Sequence, residues 1–281
     1  MSNGESAVLG NIGSVENHRE RERGVLVYPV YSRRSGGLSV GINLFPGTKI
    51  CSFGCPYCEV FPFSAGAVFS SEQMEKDLAP VIEDAIGRNI MVKDICFSGN
   101  GEPSMSPHFP EALVLAAKTR DAMAPSAELV LITNGTGLLD KALFSLLHEA
   151  VKNYRLDIWL KLDAGTPGWY RKINASEISF NELAAAVKNF IACTPVTIQT
   201  MLCAVNREAP PPEEAAAWEK LLMELNNSGG IRKVQIYGKA RPSPDDPIAE
   251  ALPEKYLDDR AESLRRAFSA SKNAPRVEVF P

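Results

Sequence analysis

Three of the six cysteines fall within eight residues, Cys51-Ser-Phe-Gly-Cys55-Pro-Tyr-Cys58. Three thiolates on one short loop can wrap a metal ion or a cluster. Structural zinc takes four ligands, yet there is no second C-x2-C, and the only histidines are His18, His108 and His148. A three-thiolate loop therefore leaves one coordination position open. A 4Fe–4S cluster held in this way has one iron free for a further ligand. Cys96, Cys193 and Cys203 are scattered through apolar runs. Cysteine is among the most buried residue types, so these three read as packing residues.

The elements that must position this loop follow from hydrophobic periodicity. Residues 38–44 alternate apolar and polar side chains as a strand does, and the cysteine loop follows directly. Ser70-Ser-Glu-Gln73 reads as a capping box opening a helix through about Arg88. Further strands are predicted at 94–98, 129–133, 157–163, 196–202 and 233–238. The predicted helices cover 107–123, 138–151, 180–191, 212–226 and 253–271, and residues 276–280 add a short edge strand. Strands and helices alternate without a break, which is the signature of βα units around a parallel sheet. Six units with no seventh and eighth predict an α/β fold in the form of an open, TIM-like partial (βα)6 barrel. Its chemistry is expected at the carboxyl ends of the strands. The cysteine loop, after strand one, falls on that face. Residues 1–24, with the charge run from His18 to Arg23, read as a flexible N-terminal arm, and 25–281 as a single domain.

Composition narrows the function classes. The 281 residues carry 30 Lys and Arg against 34 Asp and Glu, a formal charge of −4, and the pI is near 5.6. That balance gives no general pull toward nucleic acid. No apolar run approaches the ~20 residues that span a bilayer, and the polar N-terminus carries no apolar signal core, so a cytoplasmic location is expected. Neither G-x-S-x-G nor H-E-x-x-H is present, which argues against ordinary serine or zinc hydrolysis.

Unusual residues stand at the predicted strand ends. Strand two is followed by Gly99-Asn-Gly-Glu-Pro103, whose glycines let backbone approach a ligand closely. Strand three ends in Thr133 and Asn134. In strand four, period-2 alternation puts Trp159, Lys161 and Asp163 on one face and Ile158, Leu160 and Leu162 on the other. Lys and Asp are seldom buried unless paired or facing a cavity. Lys161 and Asp163 therefore mark either an internal ion pair or a ligand-holding interior. The same alternation groups Gln199 with Thr197 and Met201, and Gln235 with Tyr237. Arg33, Arg34 and Lys49 are candidate cations near an anionic cluster, or simply surface residues. Lys239-Ala-Arg241 could bind a carboxylate or phosphate, though a solvated turn is the favoured reading.

This combination resembles the radical SAM superfamily, whose cluster motif is C-x3-C-x2-C with an aromatic residue, here Tyr57, before the last cysteine. The resemblance implies a 4Fe–4S cluster on Cys51, Cys55 and Cys58 and S-adenosylmethionine on its open iron. Gly99, Asn100, Gly101 and Glu102 resemble the G-G-E-P motif that binds the methionyl amino group, with Asn100 as an extra residue between the glycines. Tyr57 resembles the residue lying against the adenine. A narrower resemblance runs over about 26–245. It is carried by Pro29-Val-Tyr-Ser-Arg-Arg34, Thr133-Asn-Gly135, Lys161-Leu-Asp163 and Val234-Gln-Ile-Tyr237, and it points to the wyosine-synthase-like, tRNA-modifying group. It makes Lys161 and Asp163 candidates for holding the SAM carboxylate, the ribose or the substrate, and Thr133, Asn134, Gln199 and Tyr237 candidates for lining the cofactor site.

The expected function is radical chemistry. SAM is cleaved reductively to a 5′-deoxyadenosyl radical that takes a hydrogen atom from substrate. An external one-electron reductant of flavodoxin or ferredoxin type supplies the electron. A small metabolite or an RNA base is the favoured substrate; a peptide or protein substrate is an alternative. The rival class is an iron–sulfur or zinc-binding scaffold or carrier without radical chemistry, which leaves Gly99–Pro103, Lys161 and Asp163 unexplained.

Overall fold

A computed structural model describes residues 24–271 and 273–281. The expected N-terminal arm lies, but for Gly24, outside the described residues. The chain divides into two compact units of interleaved segments. One comprises the residues up to Ile50 together with Pro62–Ile132 and Asn153–Leu156; the other comprises Cys51–Phe61, Thr133–Lys152 and Asp157–Pro281.

The first unit carries β1 (Val27–Ser32), β2 (Gly37–Asn43), α1 (Ser71–Gly87), β3 (Val92–Ser98), α2 (Phe109–Met123) and β4 (Glu128–Thr133). β2, β3 and β4 are parallel neighbours in that order. β1 is an antiparallel edge on β2, with Val27 opposite Ile42 and Ser32 opposite Gly37. The sequence pattern did not mark β1. Its central residue is Pro29, which a sheet tolerates only at an edge. Ser70 caps α1 by accepting from Gln73 N at 3.2 Å. The Gln73 side chain turns forward to Asp77 instead of back to the cap, so the predicted box is half made. Val40, Ile42, Ile95, Phe97, Leu129 and Leu131 form the buried layer of the strands, and Phe97 meets Phe109 of α2 edge-on at 5.4 Å. Burying each such side chain is worth about 1.5–3 kcal/mol.

The second unit carries α3 (Lys141–Asn153), β5 (Leu156–Lys161), α4 (Pro167–Ile173), α5 (Phe180–Ile191), β6 (Val196–Val205), α6 (Pro212–Ser228), β7 (Ile231–Gly238), β8 (Ala249–Ala251), α7 (Glu254–Phe268) and β9 (Arg276–Phe280). β5, β6, β7 and β9 run parallel in that order, and β8 pairs antiparallel with the end of β6. Two elements here were not foreseen, β8 and α4. The helix is only seven residues long, opened by Thr166 as N-cap and Pro167 at its first position. Strand register places side chains in rows. Lys161 stands beside Gln199, Gln199 beside Gln235, and Gln235 beside Glu278; one rung up, Met201 stands beside Tyr237.

Two expectations are corrected here. Cys96 and Cys203 are buried, as packing residues should be, but Cys193 is exposed, in the turn that follows the end of α5. The segment Lys239–Arg241 is not a solvated turn. Lys239 Nζ lies 2.8 Å from an Asp246 carboxylate oxygen, and Arg241 Nη1 lies 3.0 Å from Glu59 Oε2. Among the described residues, no helix is long and apolar enough to cross a membrane.

Candidate active site

In the second unit the cysteine loop is pinned by side chains from the ends of β4 and α4. Asn134 Nδ2 donates to Ser52 Oγ at 2.9 Å, and Ser52 Oγ pairs with Thr136 Oγ1 at 2.9 Å. Ser176 Oγ donates to the Ser52 carbonyl at 3.1 Å, and Gly54 N to the Asn174 carbonyl at 2.9 Å. A turn closes the loop through Cys58 N donating to the Cys55 carbonyl. Asn134 is held in turn by Thr136, whose backbone N and hydroxyl both donate to Asn134 Oδ1. The Thr133 hydroxyl accepts from Gly135 N. Thr133 and Asn134 thus shape the turn that grips the loop.

Two of the three sulfurs, those of Cys51 and Cys55, already receive N–H donors. Phe53 N points at Cys51 Sγ at 3.4 Å, and Asn134 Nδ2 at the same sulfur at 3.7 Å. Asn174 Nδ2 points at Cys55 Sγ at 3.5 Å. Burial, with Asp163 adding to it, pushes the Cys55 thiol up to about 12. Without a cation that sulfur stays protonated; a coordinated metal inverts this by stabilising the thiolate. Among the described residues no three His, Cys, Asp or Glu side chains already converge as a metal cage. The donor set nevertheless fits an anionic thiolate-held group, because N–H donors on the sulfurs are what such a group uses.

Beside the loop, Asp163 is completely buried and is the acceptor at the centre of a cluster. Its Oδ1 accepts from Met201 N at 2.8 Å; its Oδ2 accepts from the Tyr57 hydroxyl at 2.5 Å and from Asn174 Nδ2 at 2.8 Å. Lys161 Nζ stands 3.5 Å from the same oxygen and keeps 15% of its side chain exposed. The ammonium also bonds the Tyr237 hydroxyl and lies 4.9 Å from the centroids of both the Tyr57 and Tyr237 rings, a cation–π arrangement. Burial alone would lower the Lys161 pKa; Asp163 more than reverses this and holds it above the ordinary lysine range, so the side chain is charged. Burial, with Asp163 beside it, holds the Tyr57 phenol well above its ordinary range, so it serves as donor. The two readings of Lys161 and Asp163 therefore meet: they are an ion pair, and the pair retains an exposed cation. Beneath it Gln199 Nε2 donates to Gln235 Oε1 at 2.8 Å, and Gln235 Nε2 to Glu278 Oε2 at 3.2 Å.

The first unit holds Gly99, Asn100, Gly101 and Glu102 after β3. The close backbone approach expected of the glycines is made by the chain itself. A Cβ on Gly101 would lie 2.0 Å from the Ile50 carbonyl oxygen, and that carbonyl accepts from Glu102 N while Ile50 N donates to the Asn100 carbonyl. Asn100 is anchored by its N to Asn43 Oδ1 and by its Nδ2 to the Phe45 carbonyl. The Glu102 carboxylate is buried and accepts from Ser104 N and Oγ. Arg33 is exposed in the turn after β1, and Lys49 is half-buried just before Ile50.

Sequence reasoning missed Asn174, which joins Cys55 to Asp163. The nearest sequence signal is the Thr166-Pro167 helix start, which marks where a helix opens before it but not where that helix ends. It also missed Glu214, 3% exposed, whose carboxylate accepts from Gly165 N and the Thr166 hydroxyl, both at 2.5 Å, and so fixes the loop after Asp163.

The family model described as the radical SAM superfamily matches residues 45–210, more than half of the chain and all three loop cysteines. The chain belongs to the radical SAM superfamily, a family that works with S-adenosylmethionine and an iron–sulfur cluster. A UPF0026 protein of Helicobacter pylori is 34% identical over 91 residues, a stretch covering 30% of this chain and only 28% of that relative. Among solved structures, a radical SAM methyltransferase from Sphaerobacter thermophilus is similar at a TM-score of 0.64 and 14% identity, covering 89% of this chain and 68% of that one. SuiB of Streptococcus suis, bound to S-adenosylmethionine, is similar at 0.63 and 13% identity, covering 86% of this chain and 50% of that one. At these identities the likeness concerns the fold, which is the expected α/β half-barrel with a mainly parallel sheet.

Proposed function

We propose that this protein is a radical SAM enzyme in which Cys51, Cys55 and Cys58 hold a 4Fe–4S cluster. The observation that carries this reading is the three-thiol loop, with N–H donors on the sulfurs of Cys51 and Cys55, joined through Asn174 to the buried Asp163–Lys161 pair. When bound, the cluster and S-adenosylmethionine supply one-electron cleavage to a 5′-deoxyadenosyl radical that removes a hydrogen atom from substrate. The chain's part is to position and enclose. Tyr57 presents a ring face beside the loop. Gly99, Asn100, Gly101 and Glu102 form a rigid backbone surface for the methionyl amino group, and Asn134 and Thr133 fix the loop from the end of β4. Lys161, charged and partly exposed, holds a carboxylate or an oxygen of cofactor or substrate. Asp163 orients Lys161 and Tyr57. Gln199 and Tyr237 complete the wall around the ammonium.

The substrate is a small metabolite or an RNA base, in keeping with the wyosine-synthase-like resemblance; the charge of −4 favours the smaller molecule. The electron comes from a flavodoxin- or ferredoxin-type donor in the cytoplasm. The test is anaerobic reconstitution with iron and sulfide, then dithionite and S-adenosylmethionine, with chromatography for 5′-deoxyadenosine. Product that disappears in Cys55→Ala supports the reading. Product that persists in that variant, or a reduced cluster whose electron paramagnetic resonance spectrum ignores S-adenosylmethionine, defeats it.

A further inference from the structure

Asn174 sits at the end of α4 and is 2% exposed. Its backbone N donates to the Tyr170 carbonyl, its own carbonyl faces Cys55 Sγ at 3.9 Å, and its remaining polar contacts reach the loop and Asp163. The carbonyl accepts from Gly54 N at 2.9 Å, inside the cysteine loop. The amide nitrogen faces Cys55 Sγ at 3.5 Å and Asp163 Oδ2 at 2.8 Å. One NH2 group has two protons, so it can serve both acceptors at once. The amide thus joins a thiol of the loop to the carboxylate that orients Lys161, and the Tyr57 side chain bonds the same two groups. Asn134 reaches Cys51 Sγ at 3.7 Å and bonds Ser52 and Thr136 as well.

We infer that Asn174 is a positioning residue that tunes the cluster through Cys55 and couples that tuning to the Lys161–Asp163 pair. This rests on the reading of Cys51, Cys55 and Cys58 as cluster ligands. The physical argument is electrostatic. Reduction adds negative charge to the cluster and its sulfurs, and an N–H dipole aimed at a sulfur stabilises that charge, which raises the reduction potential. A neutral amide in a buried, low-dielectric setting acts more strongly than it would in water. Both acceptors are served from one rigid NH2 group, so a shift of the amide toward one of them changes its geometry at the other. A ligand that draws Asp163 away leaves the amide more fully to Cys55, and one that pulls the amide toward Asp163 does the reverse. Occupancy at Lys161 is thereby felt at the cluster without any contact between the two.

The test uses the full chain, reconstituted and reduced, in two measurements. Pulsed electron paramagnetic resonance on protein labelled with 15N-asparagine should show amide-nitrogen coupling to the reduced cluster, the strongest component of which is lost in Asn174→Ala. A redox titration monitored by the same spectrum should place the midpoint of Asn174→Ala lower. At a fixed potential about tenfold less cluster is then reduced, equivalent to about 59 mV for one electron. Asp163→Asn should shift the midpoint by different amounts in the wild-type and Asn174→Ala backgrounds, a non-additivity that a merely structural role would not produce. If Asn174→Ala does not retain a cluster, Asn174→Leu nearly keeps the volume and removes the same donors without adding a charge beside Asp163. A loaded wild-type protein with no asparagine coupling, or loaded variants with an unchanged midpoint or additive shifts, overturns the inference alone. Wild-type protein that forms no iron–sulfur spectrum overturns the underlying reading.

Discussion

Replacing Asp163 with asparagine preserves shape and removes one charge, so its cost measures how far this carboxylate organises the second unit. The wild-type carboxylate receives Met201 N on Oδ1, the Tyr57 hydroxyl and Asn174 Nδ2 on Oδ2, and Lys161 Nζ at 3.5 Å. In Asp163→Asn the retained oxygen still serves Met201 N. The new NH2 faces Tyr57, whose hydroxyl can turn and accept, and Asn174, whose NH2 cannot. One buried donor is orphaned, at about 1–3 kcal/mol. Removing one partner of a buried ion pair costs about 3–5 kcal/mol where the other is left uncompensated. Lys161 keeps the Tyr237 hydroxyl and some solvent, which discounts this second contribution heavily. The net expectation is a loss of about 3 kcal/mol, roughly a hundredfold in the folding equilibrium. Asp163→Ala, which strands all three hydrogen-bond donors, should cost more. Urea unfolding of the cluster-free protein, followed by the fluorescence of Trp159, Trp169 and Trp218, gives both values. An Asp163→Asn protein within about 1 kcal/mol of wild type at unchanged slope would refute the view that Asp163 is the hub of these contacts.

Two further perturbations test the loop that follows Asp163. A Cβ on Gly165 would lie 2.0 Å from Trp218 N, a backbone atom that cannot swing aside, so Gly165→Ala should lose about 2–3 kcal/mol by overpacking; an unchanged urea midpoint would show that α6 yields freely there. Burial raises the Glu214 carboxyl above its ordinary value of 4.5 despite its bonds from Gly165 and Thr166. The folded state then binds that proton more tightly than the unfolded chain does, and the stability this gives is lost as pH rises from the ordinary glutamate range through the raised value. Glu214→Gln carries no such charge, so its stability relative to wild type should grow over that rise and level off above it. A difference that stays flat across a pH series of urea midpoints would contradict the sign.

How much of this was legible in the sequence depended on the range of the interaction involved. β2, β3, β4, β6, β7 and β9 show either apolar runs or apolar–polar alternation, so local pattern found them. β1 was obscured by Pro29, and only the pairing of Val27 with Ile42 across the hairpin makes it a strand. Period-2 alternation was enough to put Lys161 and Asp163 on one face, because it is a property of the strand alone. It could not supply their partners. Asn174 lies 119 residues from Cys55 and 11 from Asp163, at the end of a helix too short to show a period. The exposure of Cys193 was hidden for a related reason: composition says that cysteines are usually buried, and only the direction of the chain after α5 decides the single case.

Register adds what alternation lacks, because it decides which inward side chains share a row. Lys161, Gln199, Gln235 and Glu278 occupy one row across β5, β6, β7 and β9, and the two glutamines are completely buried. Burying amides is expensive unless they are paired, and the row pairs them in sequence, Gln199 to Gln235 and Gln235 to Glu278. A slip of one residue in β6 would carry Gln199 to the helix-facing side and break both bonds, so the polar row fixes register as firmly as the apolar core does. Its consequence for chemistry is a rigid floor under one flexible cation. The glutamines are tied down, Asp163 is saturated by Met201, Tyr57 and Asn174, Glu278 accepts from Gln235, and the cation of the row, Lys161, keeps residual exposure. A ligand arriving at these strand ends therefore meets that ammonium between two tyrosine rings, on a surface whose other polar groups are already committed to holding it there.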